Sequence, residues 1–462
     1  MRERVVPSLT TLVGGTGTPT FVLLIGLLVS MGTAKAAQGQ KGSNTFRAGT
    51  DTRTGVVVER YLERITVKKD SPHAYFTKKA KDHPFLVKGF NYVPLRGGDH
   101  AAFDAATTTT EAHYNPKRVE NMLSTMEKHG YNTVRVFIIG RSKRNPGIGG
   151  NYKATRGTYA PYVRNFIDFL KRATRHGIYV LPTFGDGDLP ENQYYQRMLP
   201  PEHEGTTPIY FTREGIEAKK QYVTDFLRAI KQKDPKLISG LLGVELQNEL
   251  SVRDSEWPFN VTNGTVTVAN GNTYDMSSAS DRRRLMNEGL RYYHNELVDA
   301  IKEVDPELLV AEGVFTMQAV GKSLKTHRGL FPDSSRHDDR YPPDLAALGQ
   351  SDLDFIDVHY YKRKKKNTLN EHFHEDMASL RLWSDQMRPI RKKKPIILGE
   401  FGAWYKIQGP SASARRAMLA IRNLALEAGF SGYLFWTYDT FAQEHLMPAL
   451  ELGDSFIQDL GH

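Results

Sequence analysis

The feature that most constrains the fold of this 462-residue chain is a regular alternation of short apolar runs with segments of helical periodicity. About eight such units follow one another, which is typical of a parallel sheet covered by helices. Because eight parallel strands close into a barrel, we predict an α/β fold, a (β/α)8 TIM barrel. The predicted strands are Phe85–Tyr92, Thr133–Ile138, Ile178–Phe184, Leu241–Asn248, Leu308–Glu312, Phe355–Tyr360, Pro395–Glu400 and Gly432–Trp436.

The segments between these runs carry helix signals and leave room for insertions. Asn115 and the proline after it supply a cap and a first-turn residue, and Gly130 marks the end of the same helix. About 380 residues follow the start of the first strand, whereas such a barrel typically takes ~250, so long loops are expected after the third and fourth strands. Residues 57–462 are predicted to form one domain, which opens with a short N-terminal hairpin at Arg64–Val67 and Ala74–Phe76.

The first residues of the chain have the pattern of an export signal. Two arginines precede an apolar run at Phe21–Met31, and Ala34–Ala36 offers a small-residue cleavage site. We predict a secretory signal peptide over residues 1–36 and a secreted protein, extracellular or periplasmic. A retained membrane anchor is the alternative, but the run is shorter than the ~20 residues that span a bilayer. Residues 37–56 are polar and predict a flexible segment.

Composition excludes several kinds of site. The chain has no cysteine, so it has no disulfide, thiolate nucleophile or cysteine metal site. Its formal net charge is +10, with basic runs at Lys362–Lys366 and Arg391–Lys394. We interpret these runs as solvated loops; an electrostatic patch for an acidic polymer is the alternative, and no nucleic-acid motif accompanies them. Glu371–Asp376 groups histidines with carboxylates, so a metal site is the alternative to consider there. Its histidines are two residues apart and not the four that would place both on one face of a helix, and we interpret the segment as surface. We therefore predict no cofactor and no metal.

Two of the predicted strands each end in a carboxylate. The segment Leu241–Glu249 delivers Glu249, and the segment Pro395–Gly402 delivers Glu400. In glycoside hydrolysis one carboxylic acid protonates the leaving oxygen while a second carboxylate attacks the sugar or activates water. The two groups must be held at a fixed separation by rigid elements, which the strand ends of a barrel provide. The pair therefore favours glycoside hydrolysis.

Further polar and aromatic residues fall at other strand ends, where barrel enzymes place their functional groups. Each one alone has an ordinary interpretation as an interior ion pair, a core histidine or a core aromatic residue. Trp404, Trp257 and Tyr92 are candidates to extend an aromatic platform for a sugar ring. The set that is expected to converge with Glu249 and Glu400 consists of Arg135, Asn248, His359, Tyr361, Trp436 and Trp404.

From about Phe85 to its end, the chain resembles glycoside hydrolase family 5, a family of retaining β-glycosidases. The motifs that carry the resemblance are Asn-Thr-Val-Arg135-Val-Phe, Gln-Asn248-Glu249, Val-His359-Tyr-Tyr361, Leu-Gly-Glu400-Phe-Gly and Leu-Phe-Trp436. The resemblance implies that Glu249 is the acid/base, that Glu400 is a nucleophile forming a covalent glycosyl-enzyme, and that Asn248 holds the sugar 2-hydroxyl.

One segment departs from the family pattern. Many members place a histidine near the end of strand three, where this chain reads Leu181–Asp188. Asp186 or Asp188 can take a substrate hydroxyl there, or form a turn, which is the preferred interpretation.

The two carboxylates are expected to differ in pKa. Arg135 and the Tyr361 hydroxyl favour the charged form of Glu400, while a more enclosed, apolar wall raises the pKa of Glu249.

The sequence thus predicts an exported retaining β-glycoside hydrolase whose partner is a β-linked polysaccharide or oligosaccharide, with β-1,4-glucan and β-mannan as the leading candidates. No nucleic acid and no stable membrane insertion after signal removal are expected. An exo-acting β-glycosidase is a further alternative, because the long insertions could close one end of the substrate cleft. A catalytically silent carbohydrate-binding barrel is the alternative of a different class. A metal-dependent hydrolase is a third alternative, but its ligand set would need a second histidine at the strand ends in addition to His359.

Overall fold

The computed structural model describes residues 60–70, 72–93, 95–96, 99–100, 102–104, 113–140, 147–150, 153–155, 157–185, 189–199, 205–322, 330–331, 338–363, 368–439 and 448–462. Eight parallel strands close into a barrel in which every strand pairs with its neighbours in the sequence and the last pairs with the first. This confirms the predicted (β/α)8 barrel. The signal peptide and the flexible segment, residues 1–36 and 37–56, lie outside the described residues and stay predictions.

The barrel strands, numbered in chain order, are β1 (Val87–Tyr92), β2 (Thr133–Phe137), β3 (Tyr179–Thr183), β4 (Val244–Glu245), β5 (Val310–Phe315), β6 (Phe355–Tyr360), β7 (Ile396–Phe401) and β8 (Gly432–Phe435). One helix that follows each strand is numbered with it: α1 (Pro116–Lys128), α2 (Ala160–Arg175), α3 (Arg213–Lys233), α4 (Ala279–Val304), α5 (Leu345–Gly349), α6 (Leu369–Ser379), α7 (Ser411–Glu427) and α8 (Asp454–Gly461).

Shorter elements lie in the connections. The short helices are Gln193–Gln196, Thr207–Phe211, Met387–Arg391, Tyr405–Gln408 and Ala449–Leu452, with 3-10 turns at Gly147–Gly149, Leu237–Gly240 and Met317–Val320. The additional strand pairs are Leu95–Arg96 with Asp99–His100, Val252–Arg253 with Arg340–Tyr341, and Thr265–Thr267 with Thr273–Asp275.

Local sequence sets the limits of the helices. The Asn115 side chain accepts a hydrogen bond from the backbone nitrogen of Arg118 at 3.0 Å, so it caps α1 as predicted. Gly130 follows the helix with a positive φ of 76°, a conformation that glycine adopts without steric cost. The buried side chains of α1 recur at helical spacing, so one face of the helix packs on the barrel.

The fourth strand is shorter than predicted. Only Val244–Glu245 is regular strand, whereas the prediction ran to Asn248. The chain beyond it stays bonded to both neighbours, because Asn248 donates to the Gly185 carbonyl at 2.7 Å and Leu250 donates to the Gly313 carbonyl at 2.8 Å. A β-carbon at Gly313 would lie 2.2 Å from the Asn248 carbonyl oxygen. This close approach of β5 replaces regular pairing and fixes the backbone that carries Glu249.

The N-terminal sheet closes the base of the barrel. It has three antiparallel strands, Ile65–Lys68, Tyr75–Lys78 and His83–Phe85, of which the first two form the predicted hairpin. Its buried residues Ile65 and Phe76 belong to one apolar cluster with interior residues of the barrel. The rings of Phe76 and Phe355 meet edge to face with centroids 5.2 Å apart. The base is thus filled by side chains, and the opposite end is left for function.

Two surface interpretations from the sequence need correction. In Glu371–Asp376, His372 and Asp376 are buried in α6, where the ring of His372 hydrogen-bonds the Tyr360 hydroxyl at 3.0 Å. In the run Arg391–Lys394, the Lys394 ammonium group is drawn inward to the carbonyls of Ser351, at 2.8 Å, and Leu353. His372 thus lies against β6 and Lys394 against the segment that precedes β6, while Lys392 and Lys393 stay exposed as predicted. In the part of the chain that the structure describes, no helix is both long and apolar enough to cross a bilayer.

Candidate active site

Arg135 lies fully buried on β2 and holds together the ends of several strands. Its Nε and Nη2 atoms donate to the two carboxylate oxygens of Glu245 at 2.8 and 2.5 Å. Nη1 donates to Glu400 at 2.7 Å, and Nη2 donates to the Asn248 side-chain oxygen at 2.9 Å. The guanidinium fork therefore fixes the orientation of the Glu400 carboxylate and of the Asn248 amide.

Glu249 and Glu400 meet at His359. The His359 Nδ1 atom lies 3.1 Å from a Glu249 oxygen and 3.6 Å from a Glu400 oxygen. One ligand-capable atom from each of the three residues lies within 4.8 Å of the others. The pairing of β6 with β7 sets His359 directly beside Glu400, since residues opposite each other on parallel strands point to the same side.

An aromatic patch borders the two carboxylates. The Tyr361 hydroxyl donates to the second oxygen of Glu400 at 2.9 Å, and its ring lies 5.8 Å from that of Trp404. Trp436 meets Phe137 edge to face at 5.8 Å in the same apolar cluster. The structure thus brings together all eight residues predicted for the site.

Two other aromatic candidates do not join this patch. Tyr92 stacks on Phe169 at 5.9 Å within the main hydrophobic core, because its side chain points out of the barrel toward the helices. Trp257 packs against the same core. Asp186 and Asp188 lie outside the described residues, as do residues 364–366 of the first basic run.

Electrostatics keep the supporting groups in defined protonation states. Burial opposes the charge of Arg135, but Glu245, Glu400 and Asp357 together raise its pKa. Burial likewise opposes a charge on His359, yet the surrounding carboxylates raise the His359 pKa well above its ordinary value. Burial raises the pKa of Tyr361, so its hydroxyl stays a hydrogen-bond donor.

The pKa values of the two central carboxylates run opposite to the sequence-based expectation. Burial raises the pKa of Glu400, although His359 and Arg135 oppose this effect. Burial also acts to raise the pKa of Glu249, but the hydrogen bond and charge of His359, together with the charges of Arg340 and Arg135, lower the pKa. The two groups also differ in exposure, since the Glu249 side chain is 26% exposed and that of Glu400 is 6% exposed. Glu249 therefore does not lie on the more enclosed wall.

Comparison with known proteins places this geometry in a family. The sequence matches Cellulase (glycosyl hydrolase family 5) over residues 97–441. The chain belongs to glycosyl hydrolase family 5. Family 5 membership and the barrel make the protein a glycoside hydrolase, and nothing in the described site favours a catalytically silent barrel. A comparison with the sequences of curated proteins finds no significant match.

Solved structures share the fold of this family 5 chain. An endo-1,4-β-mannanase from Rhizomucor miehei is 15% identical with a TM-score of 0.55, and the match covers 86% of this chain and 98% of that one. A β-mannanase from the blue mussel Mytilus edulis is 18% identical with a TM-score of 0.50, over 86% and 96% of the two chains. A hyperthermophilic endocellulase from Pyrococcus horikoshii is 12% identical with a TM-score of 0.51, over 87% and 99%.

Three residues of the family 5 site were missed by the sequence analysis. Asn91 on β1 accepts from Arg135 at 2.9 Å and donates to the Gly399 carbonyl at 2.8 Å. Arg340, from the loop after β5, approaches Glu249 to 4.0 Å. Asp357 is fully buried, with an oxygen 3.8 Å from His359 Nε2 and 3.6 Å from Arg135 Nε. Only Asp357 left a signal, since it is two residues before His359 and therefore on the same face of β6.

Histidine and carboxylate groups converge here more closely than the sequence analysis expected. Glu245, Asp357 and His359 form one group, and Glu249, His359 and Glu400 form another, each compact enough for an ion. In the first group Arg135 already binds both oxygens of Glu245. The guanidinium of Arg135 therefore already occupies the Glu245 oxygens that would be ligands in that group.

Proposed function

We propose that this family 5 enzyme cleaves β-linked glycans by a retaining double displacement, with Glu400 as nucleophile and Glu249 as acid/base. The observation that carries the proposal is the separation of the two carboxylates, whose facing oxygens lie within 4.8 Å around His359. Retaining enzymes hold the two groups about 5 to 5.5 Å apart, whereas inverting enzymes need about 6.5 to 9.5 Å to admit a water molecule.

The surrounding contacts suit these roles. Arg135 and Tyr361 each donate to one oxygen of Glu400, which aligns the carboxylate for attack on the anomeric carbon. Glu249 gives its proton to the departing oxygen and later takes one from the water that breaks the covalent bond. A sugar over Glu249 would cover its exposed quarter, so substrate binding raises the pKa of this carboxyl and prepares it as an acid.

The substrate is proposed to be β-mannan or β-1,4-glucan. The support is the family match together with the named activities of the structural relatives, endo-mannanase and endocellulase. Trp404 is partly exposed and offers an apolar face suited to a sugar ring, and the buried Trp436 packs in the same cluster. Hydrolysis of galactomannan, hydroxyethyl-cellulose and nitrophenyl β-glycosides would identify the sugar, and product length would separate endo from exo action.

Nucleophile rescue tests the mechanism. The Glu400→Ala and Glu249→Ala variants are expected to lose hydrolysis, and azide is expected to restore turnover of Glu400→Ala with inverted product. Glu214→Ala, at an exposed glutamate in the first turn of α3, is the matched control and should keep full activity. Retained hydrolysis by either active-site variant, or azide rescue with retention, would contradict the assignment.

Export is also proposed, on the basis of the sequence of residues 1–36. Cleavage after Ala36 would leave Ala37 as the first residue of the mature protein. Sequencing the N terminus of protein recovered outside the cells tests this, and an intact leader on a membrane-bound protein would favour the anchor instead.

A further inference from the structure

A small cavity next to the aromatic patch is lined by cations. Its lining residues are Arg363, Trp404, Lys406 and Ile407, and its volume is about 270 Å³. This lies just below the ~300 Å³ at which ligand pockets begin, so the space suits one substituted sugar and not a long chain. Lys406 is exposed at its rim.

Arg363 is held in place without a carboxylate. Its Nη1 atom donates to the Gln318 carbonyl at 3.0 Å, and its backbone nitrogen donates to His372 at 3.4 Å. Within the described ranges it forms no ion pair, in contrast to Arg340, whose guanidinium binds Asp338 at 2.9 Å. Burial lowers the pKa of Arg363, an effect that Asp376 and Glu249 partly offset. Asp376 and Glu249 act on Arg363 through space, but no carboxylate of the described residues forms an ion pair with it, so its half-buried guanidinium keeps donors for an anionic ligand.

The cavity is coupled to the catalytic carboxylates through two rings. Trp404, which lines the cavity, contacts Tyr361 at 5.8 Å, and the Tyr361 hydroxyl binds Glu400. Arg363 also lies three residues beyond the end of β6, in the same connection as Tyr361. A sugar one or two positions from the cleaved bond therefore reaches this cavity while the chain lies on the aromatic patch.

We propose that this cavity binds an anionic substituent, a carboxylate or a phosphate, on the glycan that the enzyme cleaves; the proposal rests on the proposed function. Arg363 offers a planar pair of donors that matches either group, Lys406 adds a point charge, and Trp404 supplies a face for the ring that carries the substituent. The formal net charge of +10, of which the proposed leader carries only the small part due to Arg2, Arg4 and Lys35 against Glu3, favours approach of an acidic glycan.

Calorimetric binding to a Glu400→Gln protein tests this without turnover. Three matched oligosaccharides of the proposed backbone would be used: one neutral, one oxidised to the carboxylate at C6 of one sugar, and one phosphorylated at that position. We expect at least one charged ligand to bind about tenfold more tightly than the neutral one. The charged ligand that binds more tightly, with a carboxylate or with a phosphate, identifies the anionic group that the cavity recognises.

Adding Arg363→Gln to the Glu400→Gln protein is expected to remove the preference for charged ligands. Adding Arg363→Lys instead is expected to retain part of this preference, and that residual binding also shows that the site still folds. Arg388→Gln, at an exposed arginine paired with Asp385, is the matched control and should leave the preference intact. Equal binding of neutral and charged ligands, or a preference that survives Arg363→Gln, would overturn the anionic site alone. Failure to bind any of the three would overturn the proposed function and this proposal together.

Discussion

At the scale of single residues, the site depends on charges that are buried and shared. Arg135 is surrounded by Glu245, Glu400 and Asp357, and these acidic groups raise its pKa although burial acts to lower it. Such a residue contributes twice, since it compensates acidic groups in the interior and orients the amide and the carboxylate that face the substrate.

Replacing Arg135 by methionine should therefore harm both stability and activity. The free energy of unfolding is expected to fall by about 3 to 5 kcal/mol, because buried carboxylates lose their partner. The value of kcat/KM should fall by about a hundredfold or more through loss of alignment. Urea unfolding and steady-state kinetics measure the two effects. Arg388→Met, at an exposed pair, should change stability by less than about 0.5 kcal/mol; an equal effect in both variants would contradict the interpretation.

Asp357 is expected to sustain the charge of His359. Glu249, Glu400 and Asp357 all face this imidazole and raise its pKa against the effect of burial. A raised folded pKa stabilises the fold fully below the ordinary value of 6.5, and that stabilisation is lost as pH rises through the folded pKa. Asp357→Asn should lower the His359 pKa, so the stabilisation of the fold by the charged imidazole should begin to disappear at a lower pH. Titration of the ring by NMR checks this, and an unchanged His359 pKa would refute it.

At the scale of elements, the barrel strands align the site through their register and through glycines where side chains have no room. Parallel pairing sets Asn91 beside Arg135 and His359 beside Glu400. The register of β6 and β7 shifts between Val358 and His359. Close to this shift, Gly399 leaves the space in which the Asp357 carboxylate lies.

Gly399→Ala should be destabilising, because its β-carbon would lie 1.8 Å from an Asp357 oxygen. We expect a loss of about 1 to 3 kcal/mol in the free energy of unfolding, the usual cost of overpacking. If the clash is the cause, adding Asp357→Ala should recover at least about 1 kcal/mol in a double-mutant cycle measured by chemical denaturation. Simple additivity of the two changes would show that the space around Gly399 is not limiting.

At the scale of the whole molecule, stability and function lie at opposite ends of the barrel. The N-terminal sheet fills the base with Phe76 and its neighbours, while the carboxylates, the aromatic patch and the cationic cavity lie at the C-terminal ends of the strands. This separation is the usual arrangement of barrel enzymes, in which the loops of one end change without disturbing the packing of the other.

Phe76→Ala should therefore lower stability and leave the chemistry unchanged. Removing this fully buried ring is expected to cost about 3 to 5 kcal/mol. Below the unfolding temperature, kcat and KM should equal those of the wild type. Tyr75→Ala, at a partly exposed neighbour on the same strand, is the matched control and should cost about 1 kcal/mol or less. A change in KM with Phe76→Ala would mean that the base and the site are coupled.

The sequence by itself determined the eightfold alternation, the strand order and the eight residues that converge, because hydrophobic period and strand-end position depend on neighbours along the chain. Only the tertiary structure decided which carboxylate is more exposed and that Asn91, Asp357 and Arg340 join the site. It also decided that Tyr92 turns into the core and that Arg363 forms no ion pair among the described residues. These properties come from groups far apart in sequence, and burial and charge act through space, so no local pattern carries them.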